Sequence, residues 1–163
     1  MVASILDRTM KAYRIGIHNN RYPIFDGTAA KLYPGRWNAN YPVIYCGENY
    51  SLAMLEKLVH SNTGNIPEGQ QWIEITIPVG TTYETVTTYS LSNWKQPNIT
   101  KAFGDDWLLT KRSCILIVPS IIAPMENNIL INEAHPQFST ITTSLNQPMI
   151  WDRRLFFQLD DLS

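Results

Sequence analysis

Only 17% of this 163-residue chain is charged, and it contains just three histidines and two cysteines. Each scarcity removes a class of chemistry. His18, His60 and His135 stand far apart and show no zinc-ligand spacing, so no metal site is expected. Cys46 and Cys114 sit in apolar runs without a CxxC partner and read as buried free thiols. Neither occupies an exposed Gly-rich elbow, which argues against a Cys/His hydrolase. The glycines build neither a P-loop nor a Rossmann turn. A net charge of -1 and a pI near 6.3 provide no broad basic field, so direct binding to nucleic acid is not expected. No apolar run approaches the ~18 residues that cross a bilayer, and Met1-Val2-Ala3-Ser4 does not open a signal peptide. The expected setting is therefore the reducing cytoplasm, away from membranes. There the sequons Asn49-Tyr50-Ser51 and Asn98-Ile99-Thr100 are chance matches.

What remains describes a globular chain. Hydrophobic residues make up 44%, and with no repeat, charge block or Pro-rich linker, residues 1–163 read as one domain. The spacing of Val2, Ile5, Leu6 and Met10 predicts a short opening helix. Residues 19–40, rich in Gly, Pro, Asn and Tyr, predict a long loop whose aromatics argue for order. Strands are predicted at 42–46, 72–77, 114–118 and 128–131, with another within 81–89. Helices are predicted at 51–60 and 105–112, and a loop at 62–69. Strands outnumber helices and few are joined by regular helical crossovers, which indicates an α+β fold.

In the 51–60 helix, Leu52, Leu55, Leu58 and Val59 form an apolar stripe with Lys57 turned away. Glu56 lies only about 40° from Leu52 around the axis, so it flanks the stripe instead of facing water. Arg36 stands between Gly35, which permits close backbone approach, and Trp37, which can wall a pocket. Its planar fork suits phosphate oxygens, although an arginine after a glycine also serves as a loop clamp. Arg14 follows Tyr13 in a stretch read as strand, where burial would require a carboxylate or a ligand. Glu56 is an available ion-pair partner for either arginine. Ser120, after Pro119, could simply cap a turn, and Tyr45 has the pattern of a core residue. Should Arg36, Glu56 and Ser120 converge, they suit attack on a nucleotide, with a cation gripping a diphosphate beside a carboxylate at a glycosidic bond.

The ordered set of short motifs resembles the RES-domain family, the toxins of RES-Xre toxin-antitoxin modules. It comprises Tyr13-Arg14, Asp26-Gly27-Thr28-Ala29, Gly35-Arg36-Trp37-Asn38, Val43-Ile44-Tyr45, Leu52-Ala53-Met54-Leu55-Glu56, Val118-Pro119-Ser120, Asn128-Ile129-Leu130-Ile131-Asn132, His135-Pro136 and Trp151-Asp152-Arg153-Arg154-Leu155. The segment Asn38-Ala39-Asn40-Tyr41-Pro42 departs from the pattern in lacking a glycine.

The resemblance implies an ADP-ribosyltransferase-like fold, with two packed, mainly antiparallel sheets and peripheral helices around an NAD cleft. It implies breakdown of NAD at the nicotinamide-ribose bond by water or phosphate, with NAD as substrate and no separate cofactor. The named trio falls on Arg36, Glu56 and Ser120, and Arg14 and Tyr45 match further positions around the cleft. Glu56 would stabilise the ribosyl cation, the arginines would anchor the diphosphate, Tyr45 would pack on nicotinamide, and Ser120 would bond ribose or amide. An Xre-type antitoxin is the implied partner, with the assembly open between a homodimer and a hetero-oligomer. Transfer of ADP-ribose to a protein, and a non-catalytic module in which Arg36 and Glu56 merely pair, are the alternatives.

Overall fold

The computed structural model describes residues 2–18, 21–61 and 64–156. In chain order the strands are β1 (Ser4–Ile5), β2 (Met10–Ile17), β3 (Ile44–Gly47), β4 (Gln70–Ile77), β5 (Thr82–Thr85), β6 (Ile115–Pro119), β7 (Asn127–Ile131), β8 (Thr142–Thr143) and β9 (Gln147–Pro148). Three α-helices accompany them: α1 (Thr28–Leu32), α2 (Tyr50–Ser61) and α3 (Pro97–Thr110). The fold is α+β, as expected.

Hydrogen bonding draws all nine strands into one mixed sheet, ordered β1-β5-β6-β7-β3-β2-β4-β8, with β9 also on β4. The expected pair of sheets corresponds to two halves, β1-β5-β6-β7 and β3-β2-β4, joined because β7 pairs with β3 along four residues from Ile44↔Ile131 to Gly47↔Asn128. Among the described residues, only β5 and β6 run parallel. A parallel pair needs a long crossover, and α3 lies within the segment that supplies it.

Strand periodicity sorts the core onto two faces. Ala12, Ile44, Cys46, Ile73, Ile75, Ile77, Ile115, Ile129 and Ile131 pack on one. Leu116, Val118 and Leu130 point the other way, where Val43, Trp37, Trp94, Trp107 and Leu108 cover them. Residues at the alternate positions, including Tyr45 and Asn128, share that second face.

Three local expectations fail for identifiable reasons. The opening segment is strand, because Leu6 alone is buried while Val2 and Ile5 face solvent. The Leu6 N–H donates to the Thr81 carbonyl, and its own carbonyl accepts from Gly80, which ties the segment to the β5 end of the sheet. The long loop contains α1, started where Asp26 Oδ1 accepts the Thr28 N–H at 2.7 Å. α3 begins eight residues before its predicted start, with Pro97 in its first turn, and ends at Thr110, capped by Lys111, whose φ of 51° is left-handed. Asn19, and Asn62 at the start of the second predicted loop, lie outside the described residues.

The stripe on α2 is also only half used. Leu52 is fully buried, but Leu55 is 43% exposed and Val59 54%. Complete burial of a leucine contributes roughly 1.5–3 kcal/mol, so Leu52 is a principal anchor of this helix, beside Ala53 and Tyr50, whose ring packs edge-on against Tyr13 and Trp72. Lys57 does not turn fully to water: desolvation, with the Arg14 charge second, lowers its pKa.

Candidate active site

α2 starts where Asn49 Oδ1 accepts the Leu52 N–H at 2.8 Å. It then rests directly on the backbone of β3. A Cβ on Gly47 would stand 2.9 Å from the Ala53 nitrogen, closer than real contacts allow, so the glycine sets the height of the helix. From that height Glu56 reaches the ends of β6 and β7. The Ser120 hydroxyl donates to Glu56 Oε1 at 3.0 Å and the Asn128 side-chain amide donates to the same oxygen at 2.7 Å. Ser120 is fully buried, and its Oγ accepts the N–H groups of Ile122 and Ala123, both at 3.1 Å.

The Arg36 loop is held from below by Tyr45. The tyrosine hydroxyl donates to Asn38 Oδ1 at 2.8 Å and accepts the Trp37 N–H at 2.9 Å. Burial raises the Tyr45 pKa far above the ordinary phenol value; the Trp37 N–H partly opposes this, and the Asp105 charge adds to it. Asn38, fully buried, fills all four of its bonding positions: Oδ1 also accepts from Gly35 N, and Nδ2 donates to the Ala30 and Tyr41 carbonyls. The glycine-free segment that follows is fixed from α3, where Asp105 accepts from the backbone N–H groups of Ala39 and Asn40 and from the Asn40 amide. Arg36 itself donates through Nη1 to the Lys95 carbonyl at 2.9 Å, and its carbonyl accepts from the Thr100 hydroxyl.

Strand register relates the two groups. Gly47 pairs with Asn128 and Tyr45 with Leu130, so Tyr45 and Asn128 are diagonal neighbours on one face, roughly 7–8 Å apart. Arg14 is separate. It shares the parity of Ala12 on the opposite face and donates to the Ile24 and Tyr45 carbonyls, each at 2.6 Å. Desolvation lowers its pKa, with Cys46, Asp26 and Glu133 opposing in that order. Backbone carbonyls therefore take the place of the carboxylate or ligand expected for it. Among the described residues, neither Arg14 nor Arg36 forms an ion pair with Glu56.

The structure thus bonds Glu56 directly to Ser120, sets Tyr45 on β3 beneath the loop that carries Arg36, and places Arg14 behind the sheet as a brace. Asn128 stood in a matching motif of the sequence but was given no site role there. Its signal was a polar side chain at the parity of Leu130 in an apolar strand.

The RES domain family model matches residues 11–152. The chain is 33% identical to the Prs ADP-ribosylating toxin of Sphingobium sp. (strain YBL2) over 156 residues, covering 90% of this chain and 97% of that protein. It is also 33% identical to Toxin Res of Yersinia enterocolitica, covering 86% and 94%. The fold superposes on a chain of the Mycobacterium tuberculosis MbcT-MbcA toxin-antitoxin complex with a TM-score of 0.70 at 13% identity, covering 89% of this chain and 86% of that one. By matched length and by two relatives of nearly equal extent, this chain belongs to the RES domain family.

Proposed function

We propose that the protein is a RES toxin that consumes NAD at its nicotinamide-ribose bond and is neutralised by a cognate Xre-type antitoxin in the cytoplasm. The observation that carries the reading is the Glu56 carboxylate, held through Oε1 by Ser120 and Asn128 while Oε2 takes no hydrogen bond from any described residue. An oriented carboxylate with one open oxygen suits a reaction that builds positive charge on a ribose. The C1′–N bond breaks with its electron pair passing to nicotinamide, which needs no proton because it begins as a cation. The oxygen of the acceptor then bonds to C1′, and its proton passes to bulk water. Glu56 holds the ribose hydroxyls and stabilises the intervening charge. Arg36, on its braced loop, grips the diphosphate and supplies orientation. Tyr45 forms the floor beneath that loop.

Water and phosphate are the acceptors favoured here. A second reading, transfer of ADP-ribose to a protein, is supported by the relative named as an ADP-ribosylating toxin. Purified protein incubated with NAD, with and without phosphate, separates these. Free ADP-ribose or its phosphate is the expected product, whereas a target protein gaining ADP-ribose by mass spectrometry establishes transfer. Glu56→Ala and Arg36→Ala are each expected to lower turnover by at least about 100-fold. Full activity in Glu56→Ala would remove the mechanism. Absence of NAD binding by calorimetry would return the chain to the non-catalytic alternative.

A further inference from the structure

Asn128 is the second residue of β7, on the face shared by Leu130, and its bond to Glu56 Oε1, at 2.7 Å, is shorter than that of Ser120, at 3.0 Å. The direction of this bond is forced: a flipped amide would set its oxygen against a carboxylate oxygen, two acceptors with no proton between them. Ser120 has equally little freedom. With both acceptor positions taken by Ile122 and Ala123, its single proton serves Glu56, and its complete burial leaves no surface for a substrate. Two donors therefore converge on one oxygen of a helix whose apolar stripe is half exposed.

We infer that Asn128 is a positioning residue for the NAD reaction, forming with Ser120 a two-donor clamp on Glu56 Oε1 that turns Oε2 toward the ribose. This rests on the NAD reading given above and gives Ser120 the same positioning task in place of direct contact with substrate. The clamp sets the carboxylate across the sheet end from residues 64 and 72 positions later in the chain. Misplacement of a reacting group by about 1 Å can cost about 100-fold in rate, so such a clamp acts on turnover more than on affinity.

The test is a kinetic and thermal double-mutant series. Asn128→Asp keeps the size of asparagine and removes the donor. Both it and Asn128→Ala are expected to lower kcat by about 10- to 100-fold while KM for NAD changes by less than about 3-fold. In a Glu56→Asp background, whose shorter side chain no longer reaches both donors, the Asn128→Ala change is expected to cost less than about 2-fold. Losses that simply multiply, an Asp variant as active as the wild type, or a raised KM with kcat unchanged would overturn the clamp. Thermal unfolding gives a readout free of turnover: the losses in Tm from Asn128→Ala and Glu56→Ala are expected to be non-additive by about 2–4 °C. NAD turnover with additive Tm losses overturns the role of Asn128 alone. No NAD turnover in the wild type overturns the functional reading, and the positioning role of Asn128 with it.

Discussion

Tyr45 and Asn38 meet, hydroxyl to side-chain oxygen, at 2.8 Å, and through that bond a core strand holds the loop that carries Arg36. Removing the hydroxyl leaves the Trp37 N–H without its acceptor in a half-buried setting. Tyr45→Phe is expected to cost about 1–3 kcal/mol of stability, or roughly 2–12 °C in Tm by calorimetry. If Arg36 grips the diphosphate, the same variant raises KM for NAD more than it lowers kcat. An unchanged Tm and KM would show that the loop needs no brace.

Gly47→Ala tests the seating of α2. The added methyl would meet the Ala53 nitrogen at 2.9 Å and the Asn49 carbonyl at 3.0 Å, backbone atoms that cannot swing aside. The helix must rise and carry Glu56 away from Ser120 and Asn128. We expect a loss of about 1–3 kcal/mol in denaturant unfolding, together with a fall in NAD turnover larger than stability alone explains. Gly47→Ala with full activity would mean that Glu56 does not depend on the height of the helix.

Arg112→Ala is expected to be among the most damaging changes remote from the site. The Glu84 side chain is completely enclosed, and the Arg112 Nε donates to both of its oxygens at 2.8 and 3.1 Å. Removing the cation leaves a buried charge unmatched, at about 3–5 kcal/mol by denaturant titration. Replacing both partners, Glu84→Leu with Arg112→Met, is expected to cost much less. A single variant milder than the double would contradict the pairing.

Burial pushes the thiols of Cys46 and Cys114 up from 9.0 to about 12. A folded-state pKa above the unfolded one means that the folded form holds its proton longer. Stability is therefore intact below about pH 9 and declines as pH rises toward 12. Two measurements check this: iodoacetamide at pH 8 should label neither cysteine until the chain unfolds, and Cys46→Ala should flatten the alkaline decline. Rapid labelling of the folded protein would contradict the burial.

The parts legible in the sequence are those in which one segment determines its own fate. Ile73, Ile75 and Ile77 announce β4 by alternation alone, and the 51–60 helix and the strand at 114–118 are equally self-sufficient. β8, two threonines long, exists only because Thr142 and Thr143 meet Thr76 and Ile75 across the edge of the sheet. The opening strand was misread because Val2, Ile5 and Met10 mimic helical spacing although Leu6 alone is buried in the core. The site divides in the same way. The inward tilt of Glu56 follows from helix geometry, whereas its partners depend on tertiary pairing. Arg14 illustrates the limit: a buried arginine is recognisable from its surroundings, but the backbone carbonyls that satisfy it are not.

The pairing of β3 with β7 also orders events during synthesis. A chain grown to residue 110 already contains Arg36, Tyr45 and Glu56, yet lacks β6, β7 and both groups that hold the carboxylate. The strand on which the Arg36 loop is braced would then be an open sheet edge. If Glu56 serves in the proposed reaction, its two hydrogen-bond donors are therefore the last parts of the site to be synthesised.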